Sequence, residues 1–170
     1  MSANLLDAYK ARVKSGDLIA DPAQSAAAKI LSDFVTSYDV PSQKTGLKFL
    51  LKKRQKTPTG LYIWGSVGRG KTMLMDLLVA SIKHKKVRRV HFHAFMLEIH
   101  ARLKDLRAKG DDDQLIKSLA GNIAAETDLL CFDELHVNDI ADAMILGSLF
   151  DALFQAGTTV IATSNYAPDD

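Results

Sequence analysis

The sequence has no cysteine pair, no long apolar run and no excess of one charge. Its single cysteine, Cys131, makes an intramolecular disulfide impossible and points to a reducing compartment. No apolar run reaches the ~18 residues that a membrane span needs. Asp7, Lys10 and Arg12 interrupt the opening before a signal peptide's apolar core can form. Lys and Arg number 22 against 20 Asp and Glu, a formal net charge of +2, so bulk charge gives no drive toward nucleic acid or anionic lipid. A secreted, disulfide-stapled or integral membrane protein is thereby excluded. What is there is ordinary globular material. Hydrophobic residues make up 47% and charged residues 25% of 170 positions, enough for one domain or most of a larger one.

The rhythm of the apolar residues changes along the chain. Leu5, Leu6, Tyr9 and Val13 recur at helical spacing, with Gly16 as a stop. Asp21-Pro22 is a start signal, a capping carboxylate followed by proline at the first helical position. Ala27, Ile30, Leu31 and Phe34 make the expected apolar face of that second helix, and a third short helix is expected over Leu47–Lys53. The polar run from Lys52 ends in Thr57-Pro58-Thr59-Gly60, which sets the expected boundary between a helical segment, 1–56, and a main domain, 57–170. From there, four short apolar runs read as buried strands: Leu61–Trp64, Val87–Phe92, Leu129–Phe132 and Thr159–Ala162. Between them lie helical patterns: Leu74, Leu77, Leu78 and Ile82; then Phe95, Ile99, Leu103 and Leu106, closed by Gly110; then a segment near Gln114–Ala125; then Ile140, Ala143, Met144, Phe150 and Phe154, closed by Gly157. This alternation predicts an α/β fold, a parallel sheet flanked by helices.

Two motifs carry chemistry. Gly65-Ser66-Val67-Gly68-Arg69-Gly70-Lys71-Thr72 fits GxxxxGK(S/T) in full, between an expected strand and an expected helix. Glycines let the backbone wrap a phosphate with its N–H groups pointing inward, and the helix N-terminus adds a field that favours anions. Lys71 is placed to bridge the β- and γ-phosphates of ATP, and the Thr72 hydroxyl to bind Mg²⁺. Leu129-Leu130-Cys131-Phe132-Asp133-Glu134 is an apolar strand ending in two carboxylates. Asp133 sits where a Walker B aspartate supports the Mg²⁺ shell, and Glu134 where a base polarises the attacking water. An extra strand between the two motifs, together with that glutamate, points to the ATPase branch of P-loop proteins. Asn165, just past the fourth strand, faces the crevice where open α/β sheets bind ligands, and can orient water or touch the γ-phosphate.

Other features weigh less. His91 and His93 are expected on one face of one strand, in packing and surface hydrogen bonds, with His93 near Glu134 and modulating it as the alternative. The scattered histidines lack a matching cysteine pair, so zinc is not expected. Cys131, inside an apolar strand, reads as a buried structural thiol. The basic clusters Lys52, Lys53, Arg54, Lys56 and Lys83, Lys85, Lys86, Arg88, Arg89 read as solvated loop and helix ends, with nucleic-acid or lipid contact as the alternative.

Four stretches resemble the ZapE family of bacterial division ATPases and its mitochondrial AFG-type relatives. They are Gly65–Asp76 (GSVGRGKTMLMD), Arg88–Leu103 (RRVHFHAFMLEIHARL), Leu129–Leu146 (LLCFDELHVNDIADAMIL) and Ala162–Asn165 (ATSN). Tyr9, Gly16-Asp17-Leu18, Asp21 and Gln24 are similar to the family's opening. The resemblance implies an AAA+-type ATPase that couples MgATP hydrolysis to remodelling of a protein partner, with the FtsZ ring for bacterial members and inner-membrane quality control for mitochondrial ones. It implies strand order 5-1-4-3-2, a homo-oligomer, and Asn165 in the sensor-1 role. It further implies that a fifth strand, an arginine finger and a helical lid follow Asp170, so the chain reads as the N-terminal part of such a protein, with no arginine to nominate as the finger. Because the likeness begins by Leu5, no transit peptide is expected, which favours the bacterial cytoplasm over mitochondria. Two rival readings remain: a nucleotide-dependent binding module without useful turnover, and a helicase-loader-like ATPase on single-stranded DNA.

Overall fold

In the computed structural model, residues 4–40, 60–108 and 115–168 are described. The expected helix at Leu47–Lys53, the first basic cluster and Gly110 lie outside them. The chain divides into two compact units: Met1–Pro58 with Met73–Lys85, and Thr59–Thr72 with Lys86–Asp170.

The first unit is helical. Helix α1 runs Leu5–Ser15 and ends at Gly16, whose φ is 86°. Helix α2 runs Pro22–Tyr38, and the Asp21 carboxylate accepts the N–H groups of Ala23 and Gln24 at 2.7 and 3.1 Å. Pro22 carries no N–H, so this helix start leaves three N–H groups without a helical partner, and the cap satisfies two of them. The buried face of α2 is Ala28, Leu31, Ser32, Phe34 and Tyr38. The expected face is therefore turned: Ile30 is 58% exposed. Short alanines surround it, so sequence spacing alone defined the stripe poorly. Helix α3, Lys71–Ser81, lends this unit Met73 onward, and Leu74, Met75, Leu77, Leu78 and Ile82 are buried. Beyond it, the Asp39 carboxylate accepts the N–H groups of Lys83 and His84 at 2.7 and 2.8 Å.

The second unit holds the sheet. Its strands are β1 (Gly60–Trp64), β2 (Val87–His91), β3 (Leu129–Asp133) and β4 (Thr159–Ser164), all parallel, in the order β1-β4-β3-β2. That is the order the resemblance implied for strands one to four. Strands β3 and β4 are buried along their whole length, as a parallel sheet's central strands are. Helices α4 (Phe92–Ala108), α5 (Leu115–Glu126) and α6 (Ile140–Ala156) build the core with them. Phe132 sits at its middle, edge-on to Phe92 and Phe95 at 5.8 and 4.8 Å and stacked on Phe150 at 5.8 Å. Burying a side chain of this size contributes roughly 1.5–3 kcal/mol before ring geometry adds to it.

Two expectations about these helices need correction. First, β2 stops at His91 and α4 begins at once, so His93 lies in the first turn of a helix and does not share a strand face with His91. Phe92, Phe95, Met96, Ile99 and Leu103 form an unbroken helical stripe into the core, and that stripe recruits Phe92 from the strand. Second, α6 buries Leu146, Leu149 and Leu153, while Ile140 and Met144 are 82% and 71% exposed. A helix this apolar on every side carries no clear period, so several faces fitted the sequence equally well.

Candidate nucleotide-binding site

All four strands are parallel, so their C-terminal ends open on one edge of the sheet, where ligands of open α/β folds bind. Each of the sequence's candidate residues is placed there by an element end. Strand β1 delivers the glycine loop, whose Gly65 N–H donates to the carbonyl of Ser164 at the end of β4, 3.3 Å away. Within the loop, Gly68 and Gly70 have φ values of 80° and 78°, a region that a Cβ makes costly. Nothing lies within 4 Å of where a Cβ on Gly68 would sit. Conformation, rather than space, therefore reserves this position for glycine. Ser66, Val67 and Arg69 are exposed on the same loop.

Lys71 opens α3 and its side chain folds back over the loop. Its Nζ donates to the carbonyls of Gly65 and Ser66 at 2.5 and 2.9 Å, and to Asn165 Oδ1 at 2.9 Å. Residues 94 positions apart thus meet at one ammonium group. Thr72, next along, is exposed. An open loop of left-handed glycines, a helix start and a tethered ammonium suit a polyphosphate. The exposed Thr72 hydroxyl and the Asp133 carboxylate are oxygen donors of the kind that magnesium prefers.

At the other strand ends, Asp133 closes β3 and is nearly buried, while Glu134 follows it into solvent. Glu134 is the one non-glycine residue of the described chain with positive φ, 57°. A left-handed glutamate costs about 1–2 kcal/mol locally, so its surroundings must hold it. They do so through β4. The Glu134 N–H donates to Thr163 Oγ1 at 3.1 Å, and the Leu135 N–H to the Thr163 carbonyl at 2.7 Å. The Ser164 hydroxyl then donates to the Leu135 carbonyl at 2.7 Å. Beside Glu134 lies a cavity of about 310 Å³ that Phe92, His93, His136, Asn138, Asn165 and Tyr166 help to line. His93 and Glu134 thus face one cavity even though His93 rides on a helix. The rings of His136 and Tyr166 stack at 4.5 Å.

Sequence reasoning missed one residue here. Arg89, read as part of a solvated basic cluster, donates from Nε to Asp133 Oδ2 at 2.7 Å and from Nη2 to Asp133 Oδ1 at 3.1 Å. Arg88 in the same cluster pairs with Glu98, so its two arginines are held in ion pairs, while Lys83 and Lys86 are exposed as expected. The signal was present but needed the strand register: Arg89 lies opposite Cys131, and Asp133 is two residues further on the same face. Cys131, fully enclosed between them in the strand, has its thiol pushed up to about 12 by burial, against the opposing pull of the Arg89 charge. It is a structural thiol.

The fold has recognised counterparts among solved structures. The AMPPCP-bound replication initiator DnaA of Aquifex aeolicus superposes on 91% of this chain and 42% of its own length, with a TM-score of 0.61 at 17% identity. The four-stranded parallel sheet with its flanking helices is the architecture of the AAA+-type P-loop NTPases. More specific likeness comes from sequence. The Cell division protein ZapE of Escherichia coli K12 is 52% identical over 65% of this chain and 29% of its own length. An uncharacterized protein of Schizosaccharomyces pombe is 34% identical over 97% of this chain and 43% of its own length. Residues 3–170 match the family of AFG1-like ATPases, and the chain belongs to that family. It spans less than half the length of these two relatives.

Proposed function

We propose that this chain binds MgATP at the glycine loop and hydrolyses it, as the engine of a protein that remodels a protein partner. The observation that carries this reading is the meeting of Lys71, Gly65, Ser66 and Asn165 at one ammonium group over an open loop. In the proposed assignment, the backbone N–H groups of Gly65–Thr72 cradle the phosphates, and Lys71 neutralises the β- and γ-phosphoryl oxygens. Thr72 and Asp133 would hold Mg²⁺, which would supply Lewis-acid stabilisation of phosphoryl charge. Asn165, already bonded to Lys71, positions the γ-phosphate. Glu134 accepts hydrogen bonds from the attacking water, and its left-handed backbone, pinned by Thr163, aims the carboxylate into the cavity it shares with His93.

The likeness to a cell-division protein supports a division role in the bacterial cytoplasm for the full-length protein, with FtsZ or another division component as partner and a homo-oligomer as the working form. Eukaryotic relatives make mitochondria the alternative. The two domains proposed from sequence, 1–56 and 57–170, remain the working division. The site is tested by Glu134→Gln. Binding of MgATP should persist within about threefold while turnover falls by roughly 10²–10⁴. Turnover that survives the change would refute the assignment of the base.

A further inference from the structure

We infer that Arg89 is a positioning residue that competes with hydrated Mg²⁺ for the Asp133 carboxylate and thereby sets the Mg²⁺ concentration at which the nucleotide site fills. This rests on the proposed MgATP reading.

The geometry is a fork. One guanidinium engages both oxygens of one carboxylate, at 2.7 and 3.1 Å. The two side chains reach each other diagonally across β2 and β3, so the backbone register fixes their approach. The pair is not a surface pair. The Asp133 side chain is 11% exposed and that of Arg89 25%, so water screens neither their attraction nor the field of Arg89 on a nearby cation as it would in solution.

Magnesium keeps most of its waters and meets a protein through one or two carboxylates. Those waters donate to the same carboxylate lone pairs that the guanidinium uses, and the two cations repel. A carboxylate already neutralised by an arginine fork is therefore a weaker magnesium ligand than a lone one. Conversely, a nearly buried carboxylate with no cation destabilises the fold around it. Arg89 resolves that conflict by holding Asp133 until MgATP arrives, when at least one arm of the fork yields.

The test compares wild type with Arg89→Gln, which keeps a donor and loses the charge, and Arg89→Lys, which keeps the charge and loses the fork. Binding of a fluorescent ATP analogue at fixed concentration is followed while Mg²⁺ is titrated. The Mg²⁺ midpoint should fall roughly five- to fiftyfold in Arg89→Gln, a range set by removing one unit charge several ångströms from the metal at intermediate screening. In Arg89→Lys it should stay within about threefold of wild type. A folded Arg89→Gln protein with an unchanged or higher midpoint would overturn the inference, because a purely structural arginine would lower stability without moving the midpoint. Should Arg89→Gln not fold, the wild-type chain decides through the Arg89 Nε–H signal in nitrogen-15 NMR. Adding Mg²⁺ to the ATP-loaded chain should shift that signal and speed its exchange, and an unmoved signal would refute the competition. Failure of wild type to bind the analogue at any Mg²⁺ concentration would bring down the MgATP reading itself, and this inference with it.

Discussion

The glycine loop after β1 and the carboxylate pair after β3 sit on the same edge of the sheet and are held in opposite ways. The loop owes its path to local chemistry: glycines at positive φ, with open space around Gly68. The end of β3 owes its path to a neighbour. Glu134 takes the same left-handed conformation without being glycine, and β4 holds it there through Thr163 and Ser164. A short motif can encode the first arrangement, whereas the second exists only once the strands are in register.

Three perturbations bear on that contrast. Thr163→Val should have the largest effect, because it removes the acceptor of the Glu134 N–H and a donor to the Phe132 carbonyl while keeping the side chain's shape. The expected cost is about 1–3 kcal/mol in stability by chemical denaturation. Turnover should fall more than nucleotide affinity, since the carboxylate and not the loop is loosened. Equal losses in both would mean that the clamp does not act on Glu134. Gly68→Ala should come next. It meets no neighbour, so only backbone strain opposes it, about 1 kcal/mol, read as a roughly fivefold weaker Kd for MgATP. An unchanged Kd would show that the free and bound loops carry the same strain, so that the cost falls on stability alone.

Cys131 should give the smallest effect. Its folded thiol titrates at about 12 against 9.0 for the free group, because burial penalises the thiolate. The unfolded chain therefore releases this proton first. The stabilisation is complete below pH about 9 and is lost progressively as pH rises through about 12. Replacing Cys131 with Ala should flatten that alkaline limb of the stability curve, and the native thiol should resist alkylation at neutral pH. Rapid labelling would show that β3 opens locally.

How much of this was legible in the sequence follows the same division. The strand positions, the cap at Asp21, the glycine loop and the Asp133-Glu134 pair were all readable because each is written in neighbouring residues. The faces of α2 and α6 were not, since alanine-rich and uniformly apolar helices leave the stripe undefined until packing selects Phe34 over Ile30 and Leu149 over Met144. His93 moved from strand to helix because Phe92 completes a core stripe with Phe95 and Ile99. Arg89 looked like surface charge because its partner is 44 residues away, and only the β2–β3 register brings them together.

The account turns on Lys71 gathering the loop and Asn165 into a nucleotide site, and equilibrium binding tests that most directly. Calorimetric titration of MgATP into the wild-type chain and into Lys71→Ala should show one saturable site in the first and a loss of affinity of at least about 100-fold in the second. Equal affinity in both, or no heat of binding in wild type, would contradict the assignment of this edge of the sheet as the nucleotide site.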